Sequence, residues 1–146
     1  DGFLKITDRK KEMFKTSGGK YVAPQLLEND MKESILIEQI LVVGDGQKFP
    51  AALIVPAFEA LRTWCGKHGI TYTTDEDMVT KKEIKDRIWK DVDKMNQRYG
   101  SWERIKQIRL LSSPFTIEGG ELTPTMKLKR KVIHAKYAEV IEEIYR

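Results

Sequence analysis

The segment GGELTPTMKLKRKVI, residues 119–133, places a Thr-Pro-Thr turn directly before a cluster of cationic side chains. The cluster consists of Lys127, Lys129, Arg130 and Lys131. A second segment, TDRKKEMFKTSGGK at residues 7–20, also joins lysines to adjacent glycines. Backbone N–H groups of a glycine turn and a lysine ammonium together form an anion site. Both segments are therefore candidates for binding phosphate or carboxylate groups, and the alternative is two charged turns on a solvated surface.

The other residue types that carry chemistry form no recognisable site. Cys65 is the single cysteine, which excludes an intramolecular disulfide and fits a reducing compartment. We expect it to be buried as a small apolar group rather than to act as a nucleophile, because nothing places His68 as its base. No Cys, His and Asp cluster has metal-ligand spacing, so we predict no metal site in this chain. We interpret the three tryptophans as core or domain-interface residues rather than a nucleotide-stacking platform.

Composition bounds the class of protein. The chain has 146 residues, of which 40% are hydrophobic and 33% charged, as expected for one globular domain with a core. No apolar run approaches the ~20 residues that a membrane-spanning helix needs, and the charged first residues lack the apolar segment of a signal peptide. We therefore expect a cytoplasmic protein. Because the chain begins at Asp1 within an apparent hairpin, we also expect it to be a piece of a longer protein.

The elements that must position the two segments follow from apolar spacing. FLKIT and EMFKT predict an N-terminal β-hairpin, and IEQILVV and AALIV predict a second hairpin around residues 44–48, with AALIV covered on both faces. Helices are predicted from Pro24 through Ser34, over residues 58–68, 82–99 and 130–145, and a strand over IKQIRLLS. The predicted apolar faces are Leu26, Leu27 and Met31; Leu61, Trp64 and Cys65; Ile84, Ile88, Val92 and Met95; and Val132, Ala135, Ala138, Ile141 and Ile144. The pattern predicts an α+β fold, a small sheet with packed helices.

The order and spacing of the two segments resemble the C-terminal domain of AMP-forming acyl-CoA synthetases, in the adenylate-forming superfamily. That family opens this domain with G-R-x-D/K-x-x-x-K-x-x-G-x-x-[IV]-x-P-x-x-[IL]-E and closes it with P-x-T-x-x-G-K-[IL]-x-R. The matching residues are Asp8, Arg9, Lys11, Lys15, Gly18, Val22, Pro24, Leu27 and Glu28, then Lys127, Leu128 and Arg130. Asp8 and Met126 stand where the family has glycine. ELTPTMKLKRKVI is most similar to the long-chain fatty acid branch.

The resemblance implies a mobile lid domain, residues 1–146, whose large N-terminal partner domain is absent from this sequence. The family enzymes first form acyl-AMP and pyrophosphate from a fatty acid and ATP with Mg²⁺, and then transfer the acyl group to coenzyme A. The lid rotates between the two half-reactions. The isolated domain is then expected to be inactive, with no nucleic-acid partner and no transmembrane segment, although peripheral membrane contact is compatible with the substrates.

The resemblance also assigns roles to residues. Lys127 takes the position of the catalytic lysine, Lys11 that of the hinge, and Arg9 lies near the nucleotide. Gly18 and Gly19 would let pantetheine pass beside bare backbone. On its charge alone, Lys20 or a basic residue nearby is a candidate to meet the CoA phosphates. An ordinary surface lysine is the alternative for Lys127, and a solvated helix face is favoured for Lys129 and Lys131.

Two other functions stay open at this point. An enzyme with the same adenylation step could load the pantetheine arm of a carrier protein instead of CoA. A small basic α+β module that binds nucleic acid is the alternative from a different class, although no RRM or KH signature is present and the aromatic residues are not interleaved with the basic segments.

Overall fold

The computed structural model describes residues 13–146. Two short strands come first, β1 (Phe14–Lys15) and β2 (Tyr21–Val22), followed by α1 (Pro24–Met31), β3 (Ile37–Val43) and β4 (Ala51–Pro56). Next come α2 (Phe58–His68), α3 (Asp75–Met78), α4 (Lys82–Asn96) and β5 (Gln107–Leu110). The chain ends with α5 (Arg130–Lys136) and α6 (Ala138–Ile144). The predicted α+β class is confirmed.

The main sheet has the strand order β3-β4-β5. Strands β3 and β4 form the predicted antiparallel hairpin, with Leu41 opposite Leu53, and β5 runs parallel to β4. A parallel neighbour requires a crossover, which helices α2 to α4 supply. Every residue of β4 is buried, as the unbroken apolar run AALIV predicted.

The central strand β4 divides the interior into two clusters on opposite faces of the sheet. Ala52 and Ile54 pack with the buried faces of α1, α2 and α4. Ala51, Leu53 and Val55 pack with the residues that precede and follow the 119–133 segment. Because side chains alternate along a strand, one short strand supports both the helical layer and the candidate site.

The predicted helix over residues 130–145 is two helices that meet at Tyr137, whose φ is −109° and ψ 27°. The predicted apolar face was also wrong in part, since Val132 is 38% exposed and Ala135 and Ala138 are exposed. Ile133, with Tyr137 four residues later, packs instead in the cluster that contains Leu53 and Val55. Isoleucine and tyrosine bury more apolar surface than alanine, so they determine which side of the helix faces the sheet.

Smaller differences separate the predicted elements from the observed ones. Leu26 is 61% exposed while Leu27 and Met31 are buried, and α1 ends at Met31 rather than Ser34. The polar connection after α2 contains α3, whose Thr74 side chain accepts the Asp77 N–H and caps the helix. The predicted pairing of FLKIT lies outside the described residues; within them, β1 pairs with β2 across residues 16–20. None of the described helices is long and apolar enough to cross a membrane.

Candidate functional site

Lys127 lies at the end of a tight hairpin, residues 123–127, which we call the lysine turn. The Met126 N–H donates to the Thr123 carbonyl at 2.8 Å, and the Thr123 N–H donates to the Lys127 carbonyl at 2.8 Å. The Thr123 hydroxyl accepts the Lys127 N–H at 3.1 Å. A backbone bridge between Leu122 and Leu128 continues the pairing. Thr123 thus holds the backbone of Lys127 by two hydrogen bonds and that of Met126 by a third.

Met126 has a φ of +68°, in the left-handed region. A three-residue hairpin loop ends with a residue in this conformation, and glycine is its usual occupant. This explains why the resembling family has glycine here. Met126 is 64% exposed, so its side chain has room, and the cost of the substitution is confined to the backbone.

The ammonium of Lys127 is open to solvent. Within residues 13–146 no carboxylate lies within ion-pairing distance of it and no hydrogen bond engages it. Arg130 and Lys136, which follow in the chain, each bind a carboxylate, whereas Lys129 and Lys131 are exposed like Lys127. A fixed backbone with an unengaged cation is the arrangement required to reach an anion outside this domain.

Glu121 anchors the base of the lysine turn from a position that is 1% exposed. Its carboxylate accepts the Thr116 N–H at 3.0 Å and an ion pair from Lys136 at 2.5 Å, while its carbonyl accepts the Lys129 N–H at 2.7 Å. The hydrogen bond from Lys136, followed by that from Thr116, holds the pKa of Glu121 below its usual value, and the same pairing raises the pKa of Lys136. Gly119 leaves room for this carboxylate, because a Cβ there would lie 2.4 Å from Oε1.

Arg130 is not part of the solvated helix face. Its guanidinium donates two hydrogen bonds to the carboxylate of Glu28, at 2.8 and 2.7 Å, and Glu28 is 3% exposed. The same carboxylate accepts the Val42 N–H at 2.8 Å. Lys129 and Lys131 are exposed, as predicted. Glu28, the last residue of the N-terminal motif, therefore binds Arg130, the last residue of the C-terminal motif.

The glycine-containing segment folds into a second hairpin, residues 16–20, which we call the glycine turn. The Gly19 N–H donates to the Thr16 carbonyl and the Thr16 N–H to the Lys20 carbonyl, both at 2.9 Å. The Thr16 hydroxyl accepts the Lys20 N–H at 3.3 Å, and Gly19 has a φ of +84°. The lysine turn has the same three hydrogen bonds and the same left-handed fourth residue. Two turns with one geometry thus present Lys20 and Lys127.

The loop of residues 44–48 supports the glycine turn from behind. The Ser17 N–H donates to the Gln47 carbonyl and the Gly46 N–H to the Lys15 carbonyl, both at 2.9 Å. Gly44 lies against Phe14, where a Cβ would come within 3.1 Å of the ring. The hairpin loop between β3 and β4 is therefore part of the support of the site, which its sequence did not indicate.

Gly18 and Gly19 differ in what a side chain would do. Gly18 lies outside the left-handed region, and an added Cβ would have its nearest neighbour at 3.9 Å. Gly19 requires its positive φ. The motif places its glycine three residues after the lysine and three residues before the isoleucine or valine. Counted forward from Lys15, this glycine is Gly18, but counted back from Val22, it is Gly19. Arg9 and Lys11 lie outside the described residues.

Cys65, Trp64 and Trp89, which we expected to be structural, lie in or against the cluster that contains Ala52 and Ile54, whereas Trp102 is 49% exposed. Cys65 is 1% exposed within the first cluster, and burial raises the pKa of its thiol. His68 stacks on Trp64 with ring centroids 4.4 Å apart, and its Nδ1 lies 2.9 Å from the Trp64 carbonyl oxygen. Trp89 packs against the first cluster. No group of three or more possible metal ligands occurs among the residues that the structure describes.

The fold and the two lysine-presenting turns define a class of protein, and the sequence matches the AMP-binding enzyme C-terminal domain over residues 12–146. The chain belongs to this family. It is 43% identical over 146 residues to the long-chain-fatty-acid–CoA ligase FadD15 of Mycobacterium tuberculosis, covering 99% of this chain and 24% of that protein. It is 40% identical over 147 residues to the human long-chain-fatty-acid–CoA ligase 6, covering 99% of this chain and 21% of that protein.

Solved structures agree with this assignment. The adenylation domain of a carboxylate reductase from Mycobacterium chelonae superposes with a TM-score of 0.76 at 26% identity, covering 94% of this chain and 20% of that chain. The corresponding domain from Segniliparus rugosus, solved with AMP and a carboxylic acid, has the same TM-score at 28% identity, with the same coverage. The chain thus spans about a quarter or less of the relatives it matches.

Replacing Met126 by glycine tests the backbone cost in the lysine turn. A left-handed residue with a side chain costs about 1–2 kcal/mol, and the extra freedom of an unfolded glycine offsets about 0.5–1 kcal/mol of the gain. We expect Met126→Gly to raise the free energy of unfolding by about 0.5 kcal/mol and Met126→Ile to lower it by about 1 kcal/mol. Urea denaturation of the chain measures both, and a stabilising Met126→Ile would contradict the assignment.

Replacing Glu121 by glutamine tests the anchor and its pH dependence. Because the pKa of Glu121 is lowered in the fold, its contribution is complete above the ordinary glutamate pKa and is lost as pH falls through the lowered value. We expect Glu121→Gln to cost about 1–3 kcal/mol at pH 7, and the difference from the unmodified chain to shrink under acid. Denaturation curves between neutral pH and pH ~3 measure this.

Glu118→Gln is the matched control, since Glu118 is exposed in the same loop. We expect it to change the free energy of unfolding by less than about 0.5 kcal/mol at any pH. A Glu121→Gln deficit that stays constant under acid would show that ionisation of this carboxyl does not matter.

Proposed function

We propose that this chain is the C-terminal lid domain of a long-chain fatty acid–CoA ligase, preceded by a large domain that binds ATP and the acyl chain. The observation that carries the proposal is the lysine turn, a braced hairpin whose lysine has no partner within the described residues. The 43% identity to a mycobacterial long-chain ligase supports the substrate class. The family membership argues against a nucleic-acid-binding module.

In the first half-reaction, the fatty acid carboxylate attacks the α-phosphorus of ATP, and pyrophosphate leaves. Two anionic groups must approach, and negative charge grows on the α-phosphate oxygens. An ammonium placed beside these oxygens stabilises that charge. Lys127 has the properties required, a fixed backbone with a flexible stem and an open charge. Arg9 is proposed to lie near the ribose or phosphates and Lys11 to act as the hinge.

In the second half-reaction, the CoA thiolate attacks the acyl carbon, and the bond from that carbon to the AMP oxygen breaks. After rotation of the lid, the glycine turn would face the reaction centre. The open backbone at Gly18 and Gly19 leaves space for pantetheine, and Lys20 supplies a cation for the CoA phosphates. Mg²⁺ neutralises phosphate charge when it enters with ATP, and we assign its ligands to the preceding domain.

A carrier protein is the second candidate acceptor. It is favoured by the adenylation domains of carboxylate reductases, which share the fold at a TM-score of 0.76. One of these was solved together with its carrier domain, with AMP bound. The higher identity to CoA ligases makes free CoA the preferred acceptor. Product analysis with CoA and with a pantetheinylated carrier separates the two.

The role of Lys127 is tested in the full-length enzyme by separating the half-reactions. We expect Lys127→Ala to slow palmitate-dependent ATP–pyrophosphate exchange by at least about 10²-fold, as for loss of an oxyanion-stabilising donor. Transfer from pre-formed palmitoyl-AMP to CoA is expected to survive. Lys131→Ala, a nearby exposed lysine, is the matched control and should retain both activities. Normal exchange in Lys127→Ala would make Lys127 a surface lysine.

The role of the glycine turn is tested by a variant that should slow the second half-reaction and leave the first unchanged. We expect Gly18→Leu to slow transfer from palmitoyl-AMP to CoA by at least about tenfold while exchange survives, because the side chain would obstruct pantetheine. The fold tolerates the change, since Gly18 needs no positive φ. Ser17→Leu is the neighbouring control for a general effect of bulk. Equal transfer rates in Gly18→Leu and the unmodified enzyme would remove pantetheine from this turn.

A further inference from the structure

Trp102 lies on the surface beside the glycine turn, with 49% of its area exposed. Its indole ring lies 5.7 Å from the ammonium of Lys20, measured to the ring centroid. The two residues are far apart in sequence, and only the fold brings them together. The expectation that every tryptophan is a core or domain-interface residue gave no indication of this pair.

The backbone around Trp102 fixes the ring in place. A Cβ on Gly100 would lie 2.6 Å from the indole, so the ring rests directly against glycine backbone. The Glu103 N–H donates to the Gly100 carbonyl at 2.9 Å, and Arg104 Nε donates to the Tyr99 carbonyl at 3.0 Å. An exposed aromatic ring held in this way has little conformational freedom to lose when a ligand binds.

A second pair of a lysine and an exposed aromatic ring lies on the hairpin formed by β1 and β2, which contains the glycine turn. Tyr21 is 59% exposed, and the ammonium of Lys15 is 5.7 Å from its ring centroid. Exposed rings beside lysines suit a nucleotide, because the base stacks on a ring while a phosphate binds an ammonium. A lysine stem is flexible enough to leave the ring and meet a phosphate.

We propose that Trp102 and Lys20 form the subsite for the nucleotide end of CoA, with the adenine stacked on Trp102 and a phosphate bound by Lys20. The inference rests on the proposed function, in which the glycine turn faces the reaction centre during thioester formation. It adds Trp102, which no motif contains. The pantetheine arm would then run past Gly18 and Gly19, and the nucleotide would lie at the outer end of the same turn.

The experiment compares CoA with pantetheine, which lacks the nucleotide, as acceptors from pre-formed palmitoyl-AMP in the full-length enzyme. We expect Trp102→Ala to raise the KM for CoA about tenfold or more, in line with loss of one stacked base. The KM for pantetheine and the rate of pyrophosphate exchange should not change. Trp102→Phe should restore most of the affinity for CoA, and Lys20→Ala should raise the KM for CoA alone.

Ile35→Ala is the control, because Ile35 is 78% exposed and belongs to neither turn. An unchanged KM for CoA in Trp102→Ala would overturn the proposal. An equal rise for CoA and pantetheine would also overturn it, since it would show a structural effect on the turn. If the unmodified enzyme forms no palmitoyl-CoA from palmitoyl-AMP, the proposed function itself fails, which is a distinct result.

Discussion

The carboxylate of Glu28 joins the parts of this domain that the proposed chemistry uses. It is buried, and it binds the backbone of β3 through Val42 and the start of α5 through Arg130. A buried ion pair adds little net stability, because desolvation of the charges offsets their attraction. Removal of only one of the two charged side chains is nevertheless costly, because the other charge then stays buried without its partner. The pair therefore acts chiefly by holding α1, the central sheet and the lysine turn in one arrangement.

The two turns solve the same physical problem in the same way. Each holds a lysine backbone in place while the exposed side chain of that lysine can reach an anion. In each, a threonine hydroxyl accepts the N–H of that lysine, and a left-handed residue closes the hairpin. The supports differ, because residues 44–48 hold the glycine turn and Glu121 holds the lysine turn. One domain thus presents an exposed lysine from each of two turns, which fits the proposed alternation between two half-reactions.

The fold depends on β4 in a comparable way. Its side chains alternate between a cluster formed with α1, α2 and α4 and a cluster beneath the lysine turn. The apolar run that predicted a strand covered on both faces was therefore the most informative local pattern. Helix α4 was also predicted well, because Ile84, Ile88, Val92 and Met95 repeat at helical spacing and all face the core. Short-range periodicity identifies such elements since it reports burial directly.

The sequence by itself determined the family and the main strands and helices, because motif spacing and apolar periodicity are local properties. The same motif spacing predicts Lys127 as the catalytic lysine. It did not determine that α5 and α6 separate at Tyr137, since which of two adjacent faces is buried depends on the shape of the sheet. Nor did it reveal the ion pair of Glu28 with Arg130 or the approach of Lys20 to Trp102. These contacts join residues far apart in the chain, so only the packing of α1, the sheet and the turns decides them.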